Sequence, residues 1–279
     1  MDGKKAVITG ASSGLGEILA LELARRGWSL VLINRSRQKT LPLLERIEAE
    51  RPGTAVDVVE ADLADQDVLR AAADAVAVRH PRIDALFNNA GLLLGELAFS
   101  RHGNEMQFQV NTLAPYMLMR LLRTPLADAR PAVIVNVSSG AALMARPLKI
   151  GELCQPPQFR KLSGAYAQSK LALSAITQAL ALDFQLDGIA VRSVDPGGNR
   201  TPMTAGAGMP AVLKLVRPLL FRAPEVGARR IYDAAFDPQH ESAVGSFLTG
   251  GKTVPLPASA ADPQAQSELL ALCRELTGV

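Results

Sequence analysis

A tyrosine and a lysine four positions apart are the residues of this sequence best suited to acid–base chemistry. They are Tyr166 and Lys170 in "SGAYAQSK" (163–170), in a chain with only three tyrosines. A spacing of four places both side chains on one face of a helix. A phenol has a pKa near 10, and an ammonium about 4 to 6 Å away lowers it by roughly two units at an effective dielectric near 20. We expect Tyr166 to exchange a proton with a bound molecule and Lys170 to lower its pKa.

Two adjacent serines offer a hydroxyl to the same site. The segment "VNVSSGAA" (135–142) carries Ser138 and Ser139 directly after a predicted strand. A hydroxyl there can donate a hydrogen bond to a carbonyl oxygen and hold it against the tyrosine. The alternative is that the two serines only terminate the strand and have no role at a ligand, and the residues alone do not decide between these two interpretations.

A glycine-rich turn near the start of the chain has the pattern of a dinucleotide-binding loop. In "VITGASSGLG" (7–16), Gly10, Gly14 and Gly16 lie between a predicted strand and a predicted helix. Glycines permit a tight turn and let the backbone approach a pyrophosphate, whose charge the N–H groups of the helix start stabilise. A turn without a ligand is the alternative, but strand, turn and helix occur in the order that dinucleotide binding requires.

The residues after the second predicted strand bear on which nicotinamide dinucleotide this turn binds. Residues 27–44 contain no acid, whereas Arg35, Arg37 and Lys39 are basic. An acid at this place binds the free ribose hydroxyl of NAD, and an arginine accommodates the 2′-phosphate of NADP. A solvated helix start is the alternative, yet basic residues there oppose the helix dipole, which favours a bound anion. We predict NADP(H) over NAD(H), with Arg35 on the 2′-phosphate.

The elements that position these residues alternate along the chain. Short β-branched runs are separated by longer amphipathic stretches, which requires parallel pairing and right-handed crossovers. We therefore predict an α/β fold over 1–279: a single-domain, Rossmann-type, doubly wound parallel sheet flanked by helices. Strands are predicted at 5–9, 29–34, 54–61, 84–88, 132–138 and 189–195, and helices at 16–26, 38–50, 65–79, 104–123 and 164–186.

Two irregular segments, 140–162 and 203–224, follow strand ends at the edge of the sheet where ligands bind. We expect them to form an extended substrate loop and a lid. Their apolar residues with isolated cations suit a hydrophobic aldehyde or ketone. The amphipathic stretch 211–222 is expected to pack on its own domain, and the alternative is a peripheral membrane contact through Leu213, Val216 and Leu220.

Composition and charge argue against several other classes of protein. The net charge of +3 is spread over interleaved acids and bases, so nucleic-acid binding is unsupported. Cys154, Cys273 and the three histidines show no metal-ligand spacing, so we predict no metal site and solvent-exposed histidines. No run of about 18 apolar residues predicts a membrane span, and no export signal precedes the first strand. We expect a cytoplasmic protein.

Together these residues carry a family resemblance. The chain resembles the short-chain dehydrogenases/reductases, and within them the retinol-dehydrogenase-like and protochlorophyllide-reductase-like branch, through "NTLAPYMLMRLL" and "AYAQSKLAL". The motifs occur in family order: "TGASSGLG" (9–16), "ADL" (61–63), "NNAG" (88–91), "NTLAPY" (111–116), "VNVSS" (135–139), "YAQSK" (166–170) and "DPGGNRT" (195–201).

The resemblance implies roles for particular residues. Tyr166 would donate the proton, Lys170 would bind the nicotinamide ribose and lower the tyrosine pKa, Ser139 rather than Ser138 would orient the carbonyl, and Asn111 would hold the water of a proton relay. The other implied cofactor contacts are Gly10, Ser12, Ser13, Gly14, Leu15, Gly16, Arg35, Asp62, Leu63, Asn88, Ala90, Gly91, Pro196, Gly197 and Thr201.

The interval between Ser139 and Tyr166, 27 positions, is longer than in compact members of the family. The extra segment resembles the insertion of the retinol-dehydrogenase-like branch, but its residues differ. We expect an NADP(H)-dependent oxidoreductase acting on a hydrophobic carbonyl or alcohol. The alternatives are a non-catalytic NADP(H)-binding scaffold or redox sensor, and an enzyme of this fold that reduces a carbon–carbon double bond or epimerises. Relatives often form homodimers through the helices that contain Asn111 and Tyr166.

Overall fold

In the part of the chain that the structure describes, eight strands form one sheet. The computed structural model describes residues 3–145 and 147–279, except for the side chains of residues 217, 218 and 220. The strand order is β3-β2-β1-β4-β5-β6-β7-β8, and neighbours pair in parallel except β7 with β8. The strands are β1 Lys5–Thr9, β2 Ser29–Asn34, β3 Val56–Glu60, β4 Ala85–Asn88, β5 Ala132–Val137, β6 Ile189–Asp195, β7 Phe247–Thr249 and β8 Lys252–Val254.

The sheet is buried on both faces, which explains why its strands are apolar throughout. Every residue of β5 is buried, for example. Alternate residues of β1 join different apolar clusters, with Val7 in one and Ala6 and Ile8 in the other. Parallel sheets covered on both faces require such continuous apolar strands. The predicted α/β class and the six predicted strands are confirmed.

Helices cover the two faces of the sheet. Among the described residues, no helix combines the length and the apolar character needed to cross a bilayer. The helices are α1 Gly14–Arg25, α2 Leu41–Glu50, α3 Gln66–Arg79, α4 Met106–Phe108, α5 Ala114–Leu121, α6 Arg123–Ala127, α7 Ala167–Leu186, α8 Pro202–Ala205, α9 Ala211–Leu220, α10 Pro224–Phe236, α11 Ala258–Ala261 and α12 Pro263–Thr277.

Two of the predicted helices contain a wider π turn. The predicted helix at 104–123 consists of α4, a π turn over Gln109–Leu113, and α5. The predicted helix at 164–186 consists of α7, preceded by a wide turn over Leu162–Tyr166 that is kinked at Gly164, where φ is −99° and ψ is −122°. π turns are rare and often occur at functional sites. Here they carry Asn111 and Tyr166, two of the predicted site residues.

The strand order changes direction at β1. From β1 the chain builds the sheet outward through β2 and β3, and it then returns to pair β4 on the other side of β1. In doubly wound sheets, ligands bind beyond the carboxyl ends of the strands at such a point. A cavity opens at this edge.

Candidate active site

A cavity of about 1100 Å³ extends along the carboxyl edge of the sheet. One end is lined by the glycine turn after β1, and the middle by Ser139, Tyr166 and Lys170. The other end is lined by apolar side chains. The strand-end turns thus bring most of the predicted residues into one continuous space.

The glycine turn after β1 leaves an open cradle at the start of α1. Gly10 and Gly14 have φ values of +70° and +64°, which favour glycine. A Cβ on Gly10 would lie 2.9 Å from the Cα of Ala90, so only glycine fits there. Ser13, the N-cap of α1, makes no side-chain hydrogen bond to the helix start. The first N–H groups of α1 are therefore left for an anion, and the residues present fit a pyrophosphate.

The loop after β2 places positive charge at the cavity. Arg35 and Lys39 line it, together with Asp62 and Leu63 from the loop after β3. The Arg35 side chain is exposed, and within the described part of the chain its guanidinium has no hydrogen bond or ion pair. Arg37 turns away, because its guanidinium donates to the carbonyl of Val58 at 3.3 Å. Arg35 and Lys39 are the cations of this loop that remain available to a phosphate.

The reacting groups come from the ends of two elements. Tyr166 closes the π turn before α7, and Lys170 lies one helical turn later. The hydroxyl of Ser139, directly after β5, lines the same cavity as the phenol of Tyr166 and accepts the N–H of Ala141 at 3.2 Å. The tyrosine is 7% exposed and the lysine 3%, so both work in a largely dry environment.

The neighbouring serine, Ser138, has a different environment. Its hydroxyl donates to the backbone carbonyl of Lys170 at 3.0 Å and accepts the hydroxyl of Ser174 at 2.9 Å. Both hydrogen bonds tie β5 to α7. The geometry therefore favours Ser139 as the substrate-orienting serine, and that role stays a prediction.

The pKa of Tyr166 differs from the expectation. Burial raises the pKa of Tyr166 above the ordinary value for a phenol, the nearby hydroxyl of Ser139 works in the opposite direction, and the charge of Asp195 raises the pKa further. Lys170 is not among the causes of this shift, and the expectation that it lowers the pKa of Tyr166 beside a bound cofactor stays a prediction. Burial lowers the pKa of Lys170 itself to about 7, and its Nζ donates to the carbonyl of Val137 at 2.8 Å. The phenol is accordingly held in its protonated form.

The buried ammonium of Lys170 leads to a prediction about stability. The unfolded chain regains the ordinary lysine pKa of 10.5, so it binds more protons than the folded chain between about pH 7 and that value. The stability of the folded state therefore rises with pH across this window. We expect Lys170→Met to raise the free energy of unfolding by about 2 kcal/mol at pH 6, where the folded protein buries the charged ammonium. At pH 10 the substitution should change the free energy of unfolding little.

Urea unfolding at pH 6 and pH 10 measures this difference. Lys39→Met, at an exposed lysine, is the control and should change stability equally at both pH values. An equal effect of Lys170→Met at the two pH values would show that the ammonium is not destabilised by burial.

Asn111 lies beneath the cavity. Its Oδ1 accepts the N–H of Leu92 at 2.7 Å, and its Nδ2 donates to the carbonyl of Leu92 at 2.9 Å and to the hydroxyl of Ser169 at 3.0 Å. The side chain is fully buried and does not line the cavity. These bonds fix the loop after β4 against α7, and the proposed water relay stays a prediction.

Two further predicted contacts, Asn88 and Gly16, do not line the cavity, and their role at the cofactor stays a prediction. Asn88 donates through Nδ2 to the Oδ1 of Asn136 at 2.8 Å in the core between β4 and β5. Gly16 lies against the turn, where a Cβ would come within 2.5 Å of the Gly10 carbonyl oxygen. Both residues serve packing. The other predicted cofactor contacts do line the cavity, in addition to Tyr166 and Lys170: Gly10, Ser12, Ser13, Gly14, Leu15, Arg35, Asp62, Leu63, Ala90, Gly91, Pro196, Gly197 and Thr201.

One charged residue of the site was not predicted. Asp195 ends β6 and lines the cavity. Its Oδ1 accepts the N–H of Gly197 at 2.8 Å, and its Oδ2 accepts the hydroxyl of Thr249 at 2.9 Å. An acid placed directly before the Pro-Gly pair after β6 was the available signal. Thr249 lies on β7, a strand too short to predict.

The far end of the cavity is apolar. Both irregular segments contribute, through Met144 and Leu162 from the first and Met209, Leu213 and Phe221 from the second. This lining suits a hydrophobic substrate.

The helix α9 forms one wall of this apolar end. Leu213 faces the cavity, so the membrane-contact alternative assigned this residue to the wrong side. The exposed apolar residues are Val212, Leu215 and Leu219, at 73%, 82% and 87% exposure. Leu220, also named in that alternative, has its side chain outside the described residues.

The histidines do not follow the expectation of solvent exposure. His240 is buried, with 5% exposure. His102 lies beside Asp65 and Asp67, a grouping that the sequence spacing did not show. The guanidinium of Arg101 contacts both carboxylates, so a positive charge already lies in this cluster.

Comparison with known proteins agrees with this geometry. The chain belongs to the short-chain dehydrogenase family, whose sequence model matches residues 4–152. Within that family it is of the retinol-dehydrogenase-like branch. It is 30% identical to human retinol dehydrogenase 13, over 99% of this chain and 85% of that protein. Mouse retinol dehydrogenase 12 is also 30% identical, over 99% and 87% of the two chains.

Solved structures share the fold. An uncharacterized protein from Mycobacterium paratuberculosis superimposes with a TM-score of 0.76 at 28% identity, over 99% of this chain and 94% of that chain. A short-chain dehydrogenase from Sphingobium yanoikuyae in complex with NADPH superimposes with a TM-score of 0.66 at 27% identity, over 86% and 90% of the chains. The family and the Rossmann-type fold predicted from the sequence are confirmed.

Proposed function

We propose that this oxidoreductase uses NADP(H) to transfer a hydride between nicotinamide and the carbonyl or alcohol carbon of a hydrophobic small molecule. The observation that carries the proposal is the convergence of Tyr166, Ser139 and Lys170 on the same cavity as the glycine cradle. Neither group of residues accounts for the reaction alone. The cradle fits a dinucleotide, and the tyrosine is a proton donor for the substrate oxygen.

The roles of the residues follow from their hydrogen bonds. When bound, the cofactor supplies the hydride. Ser139 donates a hydrogen bond to the substrate oxygen and orients it towards Tyr166. The phenolic proton moves to this oxygen as negative charge develops on it, so general acid catalysis lowers the barrier. Lys170, held on the carbonyl of Val137, lies where it can bind a ribose hydroxyl next to the tyrosine.

The choice of NADP(H) rests on charge. Arg35 and Lys39 line the end of the cavity near the loop after β2, while Arg37 is engaged with Val58. A guanidinium that is free to reorient can bind a 2′-phosphate with two hydrogen bonds. Solved relatives were bound to NADPH or to NADH, which supports a nicotinamide cofactor here and leaves the choice between the two to the charge of this loop.

The substrate class and the direction follow from the lining and from the tyrosine. Apolar residues close the cavity beyond Tyr166, and the named relatives are retinol dehydrogenases. Both support a hydrophobic alcohol or aldehyde as the substrate. A phenol is protonated near neutral pH, so Tyr166 can supply the proton that carbonyl reduction requires.

NADPH consumption with a panel of apolar aldehydes, ketones and enals tests this proposal. With NADPH deuterated on the transferred position, the alcohol product should carry deuterium on the former carbonyl carbon. Deuterium on a former double-bond carbon would instead establish a carbon–carbon double-bond reductase. Tight NADPH binding without turnover of any member would favour the non-catalytic scaffold.

The two adjacent serines allow a matched comparison. Ser139→Ala removes the hydroxyl in the cavity together with one hydrogen bond to the N–H of Ala141, so we expect kcat for reduction to fall about tenfold and stability to fall less than in Ser138→Ala. Ser138→Ala removes two buried hydrogen bonds, so it should lower the melting temperature and leave kcat within about twofold. Steady-state kinetics and thermal unfolding of both variants check this pair. Equal losses of kcat would contradict the assignment to Ser139.

A further inference from the structure

The outer face of α9 exposes a row of large apolar side chains. Val212, Leu215 and Leu219 are 73%, 82% and 87% exposed, and they lie three and four positions apart, so they share one face of the helix. Single exposed apolar residues are common on protein surfaces. A contiguous apolar row is instead typical of a surface that another molecule covers.

The chain around this face carries positive charge only. From residue 196 to residue 224 the sequence contains no acid and four basic residues, which are Arg200, Lys214, Arg217 and Arg222. A helix with an apolar face and neighbouring Lys and Arg residues has the character of helices that lie in the interface of an anionic lipid bilayer. The charge of this segment is therefore complementary to a negatively charged lipid surface.

A second exposed apolar pair, on α7, has different electrostatic surroundings. Leu182 and Leu186 are 76% and 80% exposed. Asp183 and Asp187 follow them directly in the sequence, and both acids form ion pairs with Arg123. Acids and a base balance each other there, so an anionic surface gains little from contact with α7. Of the two apolar pairs, the one on α9 suits an anionic bilayer.

The position of α9 connects its outer face with the cavity. Leu213 and Phe221 line the apolar end of the cavity, whereas Leu215 and Leu219 are exposed on the other side of the helix. A bilayer on the outer face would lie about 10 Å from the cavity, the diameter of one helix. Apolar molecules partition from water into lipid, so this is the side from which an apolar ligand would arrive.

We propose that the apolar face of α9 docks the protein on an anionic lipid bilayer. Val212, Leu215 and Leu219 enter the boundary between the headgroups and the acyl chains, and Lys214 and Arg222 contact the lipid phosphates. The docking itself does not depend on the proposed function. Transfer of an apolar substrate from the bilayer to the cavity rests on it.

Sedimentation with sucrose-loaded vesicles tests the docking without cofactor or substrate. The vesicles consist of phosphatidylcholine, either alone or mixed with the anionic phosphatidylglycerol. Wild-type protein should sediment with the anionic vesicles, and high salt should weaken this binding because it screens the basic residues. The double variant Leu215→Ser/Leu219→Ser should lower the partition coefficient at least about tenfold, because two apolar side chains are lost. The control Leu182→Ser/Leu186→Ser removes the exposed pair on α7 and should leave the coefficient unchanged.

A fluorescent reporter keeps the test decisive if serine disturbs α9. The chain has one tryptophan, Trp28, and it is buried. Leu219→Trp adds an exposed indole to the apolar face, so its emission should shift to shorter wavelength when anionic vesicles are added. Leu182→Trp adds an indole to α7 and should show no such shift.

The outcomes separate docking from its alternatives. Wild-type protein that stays in the supernatant, binding that is equally strong without phosphatidylglycerol, or an unshifted emission of Leu219→Trp would overturn the proposal. Wild-type dimers that Leu215→Ser/Leu219→Ser converts to monomers in gel filtration would also overturn it, because a second copy would then cover the face. Vesicle binding by a protein that turns over no carbonyl would support the docking and contradict only the proposed function.

Discussion

Tyr166→Phe is expected to lower kcat for carbonyl reduction by about 100- to 10,000-fold, the usual contribution of a positioned general acid. The ring of phenylalanine fills the same space, so the cavity and the glycine cradle stay intact. The dissociation constant for NADPH should accordingly change by less than about threefold. Only the proton donor is lost. Steady-state kinetics and fluorescence titration with NADPH measure the two quantities on one preparation.

Tyr232→Phe is the matched control for this substitution. Tyr232 lies on α10 outside the cavity, and the centroid of its ring is 4.8 Å from the centroid of the Phe236 ring. Removing its hydroxyl should leave kcat within about twofold. If Tyr166→Phe kept more than a tenth of the wild-type kcat, the phenol could not be the proton donor.

Arg35→Ala is expected to weaken NADPH binding by on the order of 10- to 100-fold, because a bidentate pair with a phosphate consists of charge-assisted hydrogen bonds. NADH lacks the 2′-phosphate, so its dissociation constant should change by less than about twofold. The ratio of the two constants is therefore the sensitive quantity. Calorimetric titration of both cofactors measures it.

The same loop provides the control. Arg37→Ala removes an equal charge two positions away, but this guanidinium is engaged with Val58 and does not line the cavity. It should leave the preference between the two cofactors almost unchanged. If Arg35→Ala weakened the binding of NADPH and NADH by the same factor, the arginine would not bind the 2′-phosphate.

The sheet was predictable because its strands are buried on both faces. The apolar runs of β1, β2 and β5 stand out from the amphipathic helices between them, and the alternation fixes parallel pairing. The strands β7 and β8 have three residues each and were not predicted. Segments this short carry too little periodicity, and they form because β6 offers a free edge.

The π turns could not be predicted from the sequence. Over 104–123 the apolar spacing indicates one helix, and the wider turn at Gln109–Leu113 arises where Asn111 bonds with Leu92 and Ser169. These partners lie 19 and 58 positions away. The spacing of apolar residues within one segment does not depend on such distant contacts, so it cannot predict them.

The residue types of the site were predictable, but their electrostatics were not. A four-residue spacing correctly indicates that Tyr166 and Lys170 share a helix end. It does not show that the ammonium is held by the Val137 carbonyl, or that Asp195 approaches from β6. Burial then dominates both pKa values. The direction of the shift in the pKa of Tyr166 thus depends on its burial and on Ser139 and Asp195, which follow or end different strands and meet the tyrosine only in the folded chain.

Motifs also mix packing residues with binding residues. Asn88 belongs to "NNAG", yet its amide pairs with Asn136 on the adjacent strand, 48 positions away. Gly16 belongs to the glycine turn, yet it lets α1 pack against the Gly10 carbonyl. Asparagine and glycine suit either purpose, so only the fold distinguishes the two.

A crystal structure of the protein with NADP⁺ tests the central claim most directly, since it needs no known substrate. We predict the pyrophosphate at the start of α1, the 2′-phosphate at Arg35, and the nicotinamide ring beside the phenolic oxygen of Tyr166 within hydrogen-bond reach of Lys170. A dinucleotide bound with its nicotinamide away from Tyr166, or a phenolic oxygen turned into the core, would contradict the account.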